Sequence, residues 1–332
     1  MQDDKHKPLT GIDHKRRSLL RAGMSTALLA APYARMAQAA TPAVKLVLLG
    51  TRGGPRVGDT GKNLGKFTRM NASNLLLIGG VPYVIDCGYG VSQQLLKAGV
   101  TLETVRYVLI THHHSDHELE YGNLLYNAWS SGLSHQIDTY GPPGLEQMTR
   151  DFMALNHIDI DTRVADEGKP DLRKLIQAHD ITDLGQVLVN EQVKVTAMHS
   201  IHPPLADAYA YKFETGGKTI VFSGDTAYNP KLAEFARGAD YLVHEVMYAP
   251  ALEALAKRVP NARTMMEHLH ASHTVTEDVG RIAAAAQVKN LVLSHFVPGD
   301  DPAITHDIWS EGVRKHYQGK LFVGRDLMEF EL

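Results

Sequence analysis

The sequence predicts an α/β fold: an αββα sandwich of two mixed β-sheets with helices outside. Three observations carry this. Short apolar runs of strand length alternate with helix-like segments through almost all of the chain. Strand-like runs stand at both ends with helical segments between them, a pattern that buries its apolar faces by packing sheet on sheet. Gly79-Gly80 and Gly216-Gly217 separate neighbouring apolar runs as hairpin turns do, so antiparallel pairs accompany the αβ crossovers.

In chain order, the first strand-like runs are residues 44–49, 74–78, 83–86 and 105–110. The second half adds 193–198, 209–214, 219–223, 241–244 and 291–294. Helical patterns lie at 90–98, 119–129, 145–155, 230–237, 250–257 and 274–286. Thr274-Val275-Thr276-Glu277 opens the last of these with a capping-box pattern. Residues 156–190 are the least patterned and read as a loop over the core. No boundary divides residues 40–332, which are expected to form one domain. Of 332 residues, 44% are hydrophobic and 21% charged, as in an ordinary soluble globular protein. No apolar run reaches the roughly twenty residues of a membrane span, so no stable membrane anchor is expected.

Residues 1–39 read differently. Lys15-Arg16-Arg17-Ser18-Leu19-Leu20 precedes a short apolar segment and a small-residue Ala37-Gln38-Ala39 site, the parts of an export signal. The paired arginines resemble a twin-arginine signal, read by the export machinery during transit. Cleavage near Ala39 and a periplasmic location are expected. That segment holds seven Lys or Arg and three Asp or Glu, and its removal leaves a formal net charge of −7. An acidic body argues against a nucleic-acid partner, which needs phosphate-neutralising cations. Cys87 is the single cysteine, so no intramolecular disulfide forms, and its apolar neighbourhood predicts a small buried residue.

The chemistry begins at Thr111-His112-His113-His114-Ser115-Asp116-His117. Residues i and i+2 of a strand share a face, so His112 and His114 can reach one metal. Asp116 and His117, on the following turn, are displaced toward a second. Three later apolar runs end in further ligand types: His199 and His202, Asp225, and His295. Ligands at strand tips sit on a rigid scaffold among variable loops.

These segments, from Leu46-Val47-Leu48-Leu49-Gly50-Thr51 to Ser294-His295-Phe296, resemble the metallo-β-lactamase fold superfamily, in particular its ribonuclease Z and arylsulfatase-like branch. The resemblance implies that His112, His114 and His202 hold one metal. Asp116, His117 and His295 would hold the other, with Asp225 between the two. His202 is preferred to His199 because it stands nine residues before Tyr211, the interval seen in that branch. The cofactor implied is two divalent ions, zinc first, with manganese or iron as alternatives. Asp116 and His273 take catalytic roles, His273 as general acid toward the leaving group. His273 precedes a helix, whose dipole lowers a histidine pKa, so a nearby carboxylate must offset it. His244-Glu245 and Asp86 are expected to orient ligands. His113, His268 and His270 have no role assigned and are expected on the surface.

The reaction expected is ester hydrolysis by a metal-dependent enzyme. Two dications, two carboxylates and a hydroxide leave a net positive site, which favours anionic esters of small molecules, an aryl phosphodiester or an aryl sulfate. Neutral carboxylic esters, lactones or single-iron dioxygenase chemistry are the alternatives. Ribonuclease Z itself is disfavoured, because the short interval from His202 to Asp225 has no room for an RNA-holding arm. A homodimer is left open.

Overall fold

Alternation along the first strand sets the layers. In β1 (Val44–Gly50), Val47 and Leu49 pack among helices, while Val44, Leu46 and Leu48 pack toward a second sheet. Strand side chains point to opposite faces in turn, so a strand apolar on both faces belongs to an inner layer. The computed structural model describes residues 42–59, 64–257 and 260–332. The export signal expected over residues 1–39 lies outside the described residues.

The first half contains β2 (Ser73–Ile78), β3 (Val81–Ile85), α1 (Val91–Lys97), β4 (Tyr107–Leu109), α2 (Ser115–Glu118) and α3 (Tyr121–Ser130). It continues with β5 (Ile137–Gly141), α4 (Leu145–Leu155), α5 (His157–Asp166), α6 (Leu172–Leu175) and β6 (Ile176–Asp180). The second contains β7 (Gly185–Val189), β8 (Lys194–His199), β9 (Tyr209–Thr215), β10 (Lys218–Phe222), α7 (Pro230–Phe235), β11 (Tyr241–Met247) and α8 (Leu252–Ala256). It ends with α9 (Ala262–Ser272), α10 (Thr276–Ala286), β12 (Asn290–Val297), α11 (His306–Arg314), β13 (Lys320–Val323) and β14 (Met328–Glu331).

One seven-stranded sheet runs β14-β1-β2-β3-β4-β5-β6 and the other β13-β12-β11-β10-β9-β8-β7. Both are mixed: β1, β2 and β3 pair antiparallel while β3 to β6 pair parallel, and the second sheet repeats the division about β10. The Gly79-Gly80 and Gly216-Gly217 turns join the antiparallel pairs as expected. Tyr83, Ile85, Leu109, Tyr211, Phe213 and Phe222 meet between the sheets. Trp129 and Tyr121 fill the layer under α3 and α4, and Trp309 and Ile282 the layer under α10 and α11. This is the expected αββα sandwich.

Three local expectations are corrected. Residues 156–190 are not a loop but carry α5, α6, β6 and β7. Both strands are sheet edges with few buried side chains, so they lack the apolar run that marks a central strand. The helix expected from Thr274 begins at Thr276, after Val275, with no side-chain cap. Thr274 is used across the fold instead: its hydroxyl donates to Thr226 O at 2.5 Å and its N–H to Glu245 Oε1 at 2.9 Å. Finally, β4 ends at Leu109, so His112 and His114 lie on the loop beyond it.

Candidate metal centre

The loop after β4 is held from below by Asp86, which follows β3. Asp86 Oδ1 accepts the Thr111 N–H at 2.7 Å, and Oδ2 accepts the Thr111 hydroxyl at 3.0 Å. With its proton committed to Asp86, Thr111 Oγ1 can only accept from His112 Nδ1, 3.0 Å away. The network therefore assigns the His112 proton to Nδ1 and leaves Nε2 a bare lone pair. Asp86 itself sits at φ 64°, a left-handed conformation that aspartate adopts more readily than most residues.

His112 Nε2 lies 3.1 Å from His114 Nδ1, which lies 3.0 Å from His202 Nε2. His202 Nδ1 donates to Ser272 O at 2.9 Å, so its Nε2 also points inward as a lone pair. Burial holds His112 well below the ordinary histidine value, the neighbouring His117 adding to this, and holds His202 down at about 4. His114 Nδ1 carries at most one proton for the two lone pairs that face it, so at least one of these close contacts repels unless a cation stands among them.

Asp116, His117, Asp225 and His295 form an adjoining group, with one ligand atom from each lying within 4.8 Å of the others. His117 donates from Nδ1 to Asp86 Oδ2 at 2.8 Å, and its Nε2 is buried without a hydrogen-bond partner. Asp225 Oδ2 stands 3.2 Å from His295 Nε2, 3.4 Å from His117 Nε2 and 3.7 Å from His112 Nε2, between the two groups. His295 reaches inward because β12 bulges there: the register with β11 skips it and its φ is 45°. Gly54 N–H donates to Asp116 Oδ2 at 2.7 Å. Burial pushes Asp116 up, but His117 and His295 overcome it and hold the carboxyl down at about 2. Burial also opposes charge on His117, yet Asp225, Asp86 and Asp116 hold it well above its ordinary value. These carboxylates demand positive charge. The donor set of neutral imidazoles and carboxylates suits divalent transition metals.

His199 is exposed at the end of β8, its ring packed on Tyr209 at 5.5 Å, and does not join either group. His273 is buried, with Nδ1 3.4 Å from Glu245 Oε2 and 4.0 Å from Asp225 Oδ2. Burial is the largest single influence and lowers its pKa, but the charge and hydrogen bond of Glu245, with the charges of Asp225 and Asp116, together outweigh it and raise the value to about 9. Glu245 is thus the carboxylate that a helix N-terminus called for. His244 is buried and donates to the Glu245 carbonyl at 2.6 Å. Cys87 is fully buried, and burial pushes its thiol well up. His113 is half-buried against Glu118 at 2.6 Å, and His270 is exposed.

His268 is the histidine that sequence reasoning misplaced. Its ring stands 5.8 Å from that of His114 and 5.6 Å from that of His202, on the wall of a cleft of about 700 Å³. The missing signal was α9, which the sequence reading left out. The cleft is also lined by Arg52, Gly54 and Arg56 of the loop after β1. Arg52 is buried and bonded to Asp59, and Arg56 is 3.9 Å from Asp300.

Residues 83–296 match the family described as Beta-lactamase superfamily domain. Among curated relatives, a chain named Ribonuclease Z from Mycobacterium marinum is 29% identical over 292 residues, covering 87% of this chain and 99% of that one. Among solved structures, the metallo-β-lactamase fold protein YhfI from Bacillus subtilis superposes with a TM-score of 0.64 at 20% identity, over 87% of this chain and all of that one. The short form of human tRNase Z gives a TM-score of 0.61 at 20% identity, over 86% and 98%.

The curated relatives overturn the expectation of a hydrolase of small aryl phosphodiesters or sulfates with no nucleic-acid partner. Charge at the site was a sound argument for an anionic ester, but the phosphodiester of an RNA strand meets it equally. Net charge of the whole chain was a weak guide to the partner, because it does not report the charge lining one cleft. The short connection between His202 and Asp225, a tight β9–β10 hairpin, describes one insertion point and says nothing of the bond cleaved.

Proposed function

This chain belongs to the Beta-lactamase superfamily domain family, and we propose from that membership and from its relatives named Ribonuclease Z that it is a metal-dependent phosphodiester hydrolase acting on RNA. What supports RNA as substrate is the alignment with chains named Ribonuclease Z across nearly their whole length. What supports metal-dependent hydrolysis is one observation: two adjoining groups of His and Asp ligand atoms, almost all buried, converge within the described residues.

His112, His114 and His202 would hold one divalent ion and Asp116, His117 and His295 the other, with Asp225 shared. Zinc is the first choice, with manganese or iron as alternatives. Bound there, such ions lower the pKa of a water and stabilise charge on the phosphate. The protein's own part is orientation. Asp86 fixes the tautomers of His112 and His117, Ser272 O fixes that of His202, and Gly54 N–H steadies Asp116. His273 lines the cleft beside Glu245, whose charge favours its protonated form, and so stands where it can protonate the departing oxygen.

The test is incubation of the metal-loaded protein with a structured RNA carrying a single-stranded 3′ extension, reading the product ends, with Asp116→Ala as blank. Cleavage that is lost in the blank is the expected result. Intact RNA with a fully metal-loaded protein would overturn the reading.

A further inference from the structure

The ribonuclease reading leaves open what receives the nucleoside beside the attacked phosphate. The cleft in front of the metal site, about 700 Å³, falls within the roughly 300–1,000 Å³ of small-ligand sites and suits unpaired nucleotides. Its two walls differ in chemistry. The loop after β1 contributes Arg52 and Arg56, which face Asp59 and Asp300. The other wall is α9 and the residue before it: Asn261, Thr264, Met265, His268 and Leu269 line the cleft. Spacings of three and four residues make these one helical face.

That face carries no carboxylate or ammonium. Arg263 and Glu267 pair with each other at 2.6 Å, outside the residues that line the cleft. Met265 and Leu269 pack with Met247, Leu252 and Val297, and Val297 lines the cleft beside them. Leu269 is largely buried in that packing, while Met265 and His268 remain half-exposed toward the cleft. The His268 ring is set by Ser272, whose Oγ lies 3.3 Å from Nδ1, and by edge-to-face contact with His114 and His202. A phosphate gains little from this surface. A flat base gains apolar and aromatic contact.

We propose that this face of α9 is a nucleobase-binding wall, on which the base flanking the scissile phosphate packs against Met265 and the His268 ring. The proposal rests on the ribonuclease reading of the same site, and it makes His268 and Met265 residues of substrate recognition.

The experiment compares binding of AMP and ribose 5-phosphate to the metal-loaded protein by calorimetry. Both carry the same phosphate, so the metals contribute equally. AMP should bind about ten- to hundredfold tighter, from the contact of one stacked base. His268→Ala and Met265→Ala should each bring AMP toward ribose 5-phosphate and leave ribose 5-phosphate unchanged, which also shows that the variants are folded. Equal binding of the two ligands by the unmodified protein, or variants that weaken both alike, would overturn the wall. RNA cleavage is measured separately. Cleavage without base-selective binding defeats the wall alone, whereas base-selective binding without cleavage supports the wall and defeats the ribonuclease reading.

Discussion

Asp86 Oδ2 lies 2.8 Å from His117 Nδ1, and the same carboxylate receives the Thr111 N–H and hydroxyl. One side chain, itself outside the ligand groups, therefore orients both His117 and, through Thr111, His112. In Asp86→Asn the amide cannot accept at both positions, and His117 loses its fixed tautomer. Removing such an outer partner commonly costs about 10–100-fold in metal affinity. A chelator competition titration measures it, and an unchanged affinity would deny Asp86 this role.

His202 and His199 make opposite predictions. His202→Ala should lower the bound metal, because two of the three converging nitrogens cannot replace the third. His199→Ala should keep the full complement, since that ring is exposed on Tyr209. Elemental analysis of both purified variants decides it, and loss of metal from His199→Ala alone would reverse the assignment.

His273→Asn should lower kcat by about 10²–10⁴ with metal content unchanged, as expected when a proton donor is removed and the ligands remain. Glu245→Gln should also slow turnover, since it removes the charge that keeps His273 protonated. His273 also lies within reach of His202 and Asp225 as a third donor group. A variant that sheds metal would therefore mark it as a ligand instead.

Much of this site was legible because metal ligation imposes residue types, and His112, His114, Asp116, His117, Asp225 and His295 advertise themselves by chemistry. The central strands were equally visible, since burial on both faces demands the apolar runs of β1, β2 and β10. The edges were not. The β6 and β7 strands carry mixed polar sequences because one flank meets solvent. The orienting hydrogen bonds were invisible for another reason: Ser272 O, Gly54 N–H and the bulge at His295 are main-chain features, set by the fold and not by residue type. Net charge misled on the partner because it is a property of the whole chain, while one cleft is lined by a few residues of the loop after β1, α9 and the metal-site loops.

Asp326 offers a test of packing away from the metals. Its carboxylate accepts the Thr51 N–H at 3.1 Å, the Thr51 hydroxyl at 2.7 Å and the Met70 N–H at 2.6 Å, tying the last turn to the loop after β1. Arg69 braces the same loop, donating to Thr51 Oγ1 at 2.6 Å with its guanidinium 4.1 Å above the Phe296 ring. Burial raises the Asp326 pKa despite these hydrogen bonds and the nearby Arg69. The folded state then keeps this proton at pH values where the unfolded chain, near the ordinary aspartate value of about 3.9, has released it. Stability from this group is therefore greatest below that value, falls as pH rises toward the folded-state pKa, and is level beyond it. Asp326→Asn has no such titration, so it supplies the reference. Urea midpoints of the two metal-free proteins should differ more in favour of Asp326 at pH 4 than at pH 7. A gap that widens with rising pH would mean that the hydrogen bonds and Arg69 outweigh burial.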